Sequence, residues 1–106
     1  MDKIGMREWV ASLEEVIDNK LKKWDKTHKW ENGEVVHLEW AWEKVHIYID
    51  VFWEDGKETV TLNLKSPRAN YDFLWHGLNN QTFNRVMDRV GNIAQTIMYP
   101  PVEPKD

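Results

Sequence analysis

The chain has no cysteine, and its only serines are Ser12 and Ser66. Without cysteine there is no disulfide, no thiolate nucleophile and no thiolate metal ligand, so the fold rests on packing alone, as a reducing compartment allows. Five glycines, Gly5, Gly33, Gly56, Gly77 and Gly91, are too scattered to build a phosphate loop. No stretch approaches the roughly 20 apolar residues that span a bilayer. The opening MDKIGMREWV carries charges where a secretory signal needs an apolar run, so the expected location is cytoplasmic. There is also no basic surplus: the formal charge is −4, which argues against a dedicated binder of nucleic-acid backbones and is too small to establish a nucleic-acid mimic. No internal repeat and no low-complexity segment divides the chain.

What the chain does have is aromatic bulk. Its 106 residues suffice for one core, and seven tryptophans supply large apolar payloads to it. The expected organisation is a single compact domain over residues 1–99 and a flexible, proline-containing tail over 100–106.

Residues 3–25 place Met6, Trp9, Val10, Leu13, Val16, Ile17, Leu21 and Trp24 on one helical face, with Arg7, Glu8, Glu14, Glu15, Asp18 and Lys22 opposite. A polar stretch from Asp25 to Gly33 reads as a loop. The period then changes to two, and Val36 to Trp42, Val45 to Trp53 and Val60 to Leu64 alternate as three strands. A turn at Glu43-Lys44 and a type I′ turn at Asp55-Gly56 bring their apolar sets onto one face. The rows are Val36–Val51–Val60, Leu38–Ile49–Leu62 and Trp40–Ile47–Leu64. The connector SPRANYDFLWHGLNN predicts one helical turn, and residues 80–98 a second amphipathic helix stopped by Pro100-Pro101. The fold class is α+β: helix, three-stranded antiparallel meander, short connector helix, C-terminal helix, with both long helices on one sheet face.

The same register writes out the other face: Val35–Phe52–Thr59, His37–Asp50–Thr61, Glu39–Tyr48–Asn63 and Ala41–His46–Lys65. Tyr48 and Phe52 stand near its centre, an aromatic pair within a polar surround, the anatomy of a protein-binding patch. With Trp75 of the connector, and with His37, Asp50 and Glu39 beside them, they form the expected partner-binding set. His37 opposite Asp50 could orient an imidazole for catalysis, but no nucleophile stands near, and a cross-strand ion pair explains the placement. His37 and His46 lie two rows apart, roughly 13 Å, too far for one metal ion to bridge. Neither a metal nor a cofactor is therefore expected.

The order helix, meander, helix resembles the topology of double-stranded-RNA-binding domains. That resemblance implies an RNA- or single-strand-binding alternative, for which the basic residues available are the clustered Lys22, Lys23 and Lys26 together with Arg85 and Arg89 on the last helix. Where those domains begin their second helix with lysines, this chain has the neutral Asn79-Asn80-Gln81-Thr82. The leading expectation is a non-enzymatic interaction module, an inhibitor or accessory factor that binds a larger protein through the open sheet face. By analogy, a small acidic protein of this kind suits a phage-encoded blocker of a host nucleic-acid enzyme such as a CRISPR effector. A homodimer through the open face or an edge strand is the self-association that the architecture permits. A small-ligand or enzyme site near His37, Asp50 and Tyr48 ranks third.

Overall fold

The computed structural model of the chain describes residues 3–31 and 35–98, with side chains described for 5–31 and 35–93. The predicted tail at 100–106 and the residues around Gly33 lie outside them. The elements in order are α1 (Lys3–Lys20), β1 (Asp25–Glu31), β2 (Val35–Trp42), β3 (Val45–Glu54), β4 (Lys57–Lys65), β5 (Asn70–His76) and α2 (Asn80–Met98). The strands form one antiparallel sheet in sequence order, β1 to β5. The class is α+β, as expected, with five strands where the sequence suggested three.

The central register follows the alternation of the side chains. Val36 pairs with Val51 and Val51 with Val60; Leu38–Ile49–Leu62 and Trp40–Ile47–Leu64 form the next rows. Both turns lie where the period requires them. Asp55 and Gly56 take φ of 53° and 74°, the two positive values of a type I′ hairpin. Glu43 is also held at φ 56°.

The first correction concerns residues 25–33, where the polar sequence Asp25–Glu31 is a strand, not a loop. Its inner positions are Lys26, His28 and Trp30, opposite Trp40, Leu38 and Val36. Lys26 and His28 make the strand look polar in isolation because their partners sit on α1. Lys26 Nζ lies 2.6 Å from Glu14 Oε2 and 2.8 Å from Asp18 Oδ2, His28 Nδ1 lies 2.8 Å from Glu14 Oε2, and Arg7 stacks over Trp30. Burial opposes the Lys26 charge, but the hydrogen bonds to Asp18 and Glu14 outweigh it and raise the Lys26 pKa. The second correction concerns the connector, which holds no helical turn: residues 70–76 form β5. Tyr71, Phe73 and Trp75 face inward opposite Leu64, Leu62 and Val60. The fold thus departs from the helix, three-strand, helix order that prompted comparison with RNA-binding domains.

Helix α1 ends five residues earlier than its apolar period suggests. The Leu21 amide still donates to the Ile17 carbonyl, and a turn closed by Trp24 N–H to Leu21 C=O carries Leu21 and Trp24 into the core. Helix α2 starts as a capping motif dictates: the Asn79 side chain accepts from the Thr82 amide at 2.9 Å. Just upstream, Gly77 has φ 91°, and a Cβ there would lie 2.8 Å from Asn79 Nδ2. Only glycine suits that bend. Met6, Val10, Leu13 and Ile17 of α1, Val86 and Val90 of α2 and the inner positions of β2 to β4 share one core. Both helices therefore cover the same face of the sheet, and Trp9 joins them, its ring edge-on to Phe83 and its Nε1–H donated to the Asn79 carbonyl.

Candidate interaction surface

The other face of the sheet is built from the alternate positions of the same strands. Its rows run Lys29–His37–Asp50–Thr61–Leu74, Thr27–Glu39–Tyr48–Asn63–Asp72 and Asp25–Ala41–His46–Lys65–Asn70, and beyond them Glu31–Val35 and Phe52–Thr59–His76 lie at the same end of the sheet. Tyr48, Phe52, His37, Asp50 and Glu39 are brought together here, each half-buried among its neighbours. Trp75 is not among them. It lies on the helix-covered face, stacked on Phe73 at 5.9 Å between centroids, because the connector is a strand and position 75 points inward. Sequence reasoning missed Leu74, the outward neighbour of Trp75 and 56% exposed.

The polar groups of this face are held by one another. His37 places Nδ1 2.5 Å from Asp50 Oδ1 and Nε2 2.9 Å from Glu31 Oε2. His46 places Nδ1 2.8 Å from Glu39 Oε2 and lies parallel to the Tyr48 ring, 5.8 Å between centroids. The Asn63 amide donates to Asp72 Oδ1 at 2.6 Å and to Asn70 Oδ1 at 2.8 Å. Such mutual bonding fixes side chains that would otherwise lose rotamer freedom when a partner docks. Desolvation, with the charge and hydrogen bond of Glu39 behind it, raises the Tyr48 pKa, so the phenol stays protonated as a donor.

Hydrogen bonds donated by His37 to Glu31 and then to Asp50 raise the His37 pKa above 6.5, and the bond to Glu31 depresses the pKa of that carboxylate. A raised histidine contributes stability that is fully present below its unfolded pKa and fades as pH rises through the folded value. The Glu31 contribution is present above its unfolded pKa and fades as pH falls through the depressed one. His37→Asn should therefore lower the melting temperature most between about pH 5 and 6.5, with the difference narrowing by a few degrees toward pH 8.5. Thermal melts across that range check it; a difference independent of pH would contradict the pairing.

Both imidazole nitrogens of His37 are engaged by carboxylates, so neither is free to take a substrate proton without first breaking a pair. Among the described residues no group of three or more His, Cys, Asp or Glu is arranged to hold a metal ion, and no helix is long and apolar enough to cross a membrane. The basic residues of the alternative reading are dispersed. Lys22 and Lys23 are exposed in the turn after α1, Lys26 is bonded to Glu14 and Asp18 at the β1 edge, Arg85 is exposed on α2, and Arg89 stacks over Phe73 beside β5. The two edges are four strand spacings apart, roughly 19 Å.

Comparison with protein-family models, with curated proteins and with solved structures finds no match.

Proposed function

We propose that the chain is a non-enzymatic interaction module, an inhibitor or accessory factor that engages a larger protein through the outer face of its sheet. The observation that carries this reading is a five-stranded face with Tyr48 and Phe52 at its centre, opposite the one that both helices cover. Aromatic side chains on rigid strands lose little entropy on docking and supply a large share of interface energy. Charge narrows the partner. The face presents Asp25, Glu31, Glu39, Asp50 and Asp72 against Lys29 and Lys65, which favours a basic matching surface. Nucleic-acid enzymes carry such surfaces, and blocking one is the inhibitory role that the charge supports.

The test is the double variant Tyr48→Ala with Phe52→Ala. Both side chains point away from the core, so the fold should survive while partner affinity falls by about 2 kcal/mol or more. Stability and affinity are measured on the same preparation. An intact double variant that binds as tightly as the parent would remove this face from consideration, and salt-dependent retention of the parent on a nucleic-acid column would favour the alternative.

A further inference from the structure

The two edges of the sheet are built differently. Edge strand β1 has the sequence DKTHKWE, in which four of seven residues carry full charges, the usual guard against pairing with another chain. Edge strand β5 has the sequence NYDFLWH, with one full charge and four large apolar or aromatic residues. Its Tyr71 and Leu74 are 57% and 56% exposed, on opposite faces of the same strand. Among the described residues no strand pairs with its outer side.

The hydrogen-bond phase of β5 can be read from its ends. Ser66 and Ala69 exchange both backbone bonds across the turn, and the Gly77 amide donates to the Glu58 carbonyl. In an antiparallel ladder bonded and non-bonded pairs alternate. Tyr71, Phe73 and Trp75 therefore spend their N–H and C=O groups on β4, and Asn70, Asp72, Leu74 and His76 direct theirs outward.

We propose that β5 pairs antiparallel with β5 of a second copy of this chain, about a two-fold axis at Phe73, to join two sheets into one of ten strands. The register is self-consistent. Phe73 faces Phe73 of the other copy as a non-bonded pair, where side chains approach closest. Tyr71 faces Trp75, which extends an aromatic ladder along the helix-covered side. The outward groups of Asp72 meet those of Leu74, and those of Asn70 meet those of His76, so every outward backbone group of the strand finds a partner. Asp72 lies opposite Leu74, not opposite another carboxylate, and its side chain is drawn toward β4 by Asn63. This pairing uses the backbone edge of β5, which shares Asp72 and Leu74 with the outer face but not Tyr48 or Phe52, and it does not rest on the outer-face reading.

The test is sedimentation of the full chain from micromolar to millimolar concentration, with circular dichroism to verify the fold. The parent should be a dimer at the upper end. Leu74→Asp places like charges directly opposite at Asp72, whereas Leu74→Lys places opposite ones there. The aspartate variant should therefore dissociate about 10-fold more readily than the lysine variant. Because the native chain has no cysteine, a single Phe73→Cys should cross-link to a covalent dimer under oxidation, and Leu74→Cys should not. A parent that stays monomeric throughout, equal dissociation of the two charge variants, or cross-linking through Leu74→Cys alone would each overturn the proposal.

Discussion

Replacing Trp40 with alanine is expected to cost about 3–5 kcal/mol of folding stability. Trp40 is fully buried and is the largest such side chain among the described residues. It stands on β2 between Lys26 of β1 and Ile47 of β3, and its Nε1–H donates to Asp18 Oδ1 of α1 at 2.9 Å. Asp18 is also bonded to Lys26, whose ammonium lies 5.8 Å from the centroid of the Trp40 ring. One side chain thus fills the core and ties the helix to the β1 edge. Trp40→Phe keeps most of the volume but loses the donor, so it should cost less than alanine. Denaturant unfolding of both variants checks the order; a phenylalanine variant as unstable as alanine would mean that the Asp18 bond, not the ring, dominates.

Ile49→Ala is expected to cost about 2–5 kcal/mol, for a different reason. Ile49 sits at the middle of β3, flanked by Leu38 and Leu62 with no exposed surface. Neighbours on a paired sheet cannot collapse far into the space left behind, so a cavity term adds to the lost transfer energy. A loss below roughly 0.5 kcal/mol would place Ile49 on the solvent face, and with it every side chain of β3 in the opposite orientation.

Strands β2 to β4 were legible because their inner positions are apolar and two turns fix the register. Strand β1 was not, because alternation in hydrophobicity is blind to a polar inner face whose partners lie elsewhere. Lys26 and His28 are satisfied by Glu14 and Asp18, four residues apart on α1. Complementary charges at helical spacing in one segment and at strand spacing in the next were the available signal. In β5 the period-two set Tyr71, Phe73 and Trp75 was present, but Leu74 between them makes a short apolar run that fits a helical turn as well as a strand. That ambiguity put Trp75 in the expected partner-binding set, when its register with Val60 turns it inward. The outer face itself was read correctly across the three central strands, and the two edge strands extend it. The clasp on His37 was only half visible, because Glu31 reaches it from the strand that looked like a loop.

Docking of a larger protein on the outer sheet face, as proposed, is tested most directly by hydroxyl-radical footprinting of the protein alone and in complex with a partner captured from its native cells. Tyr48 and Phe52 should become protected on binding, with Leu74 following if the contact reaches the β5 edge, while Glu8 and Glu15 on the exposed side of α1 should label equally in both states. Protection of the helices with Tyr48 and Phe52 unchanged would contradict the account.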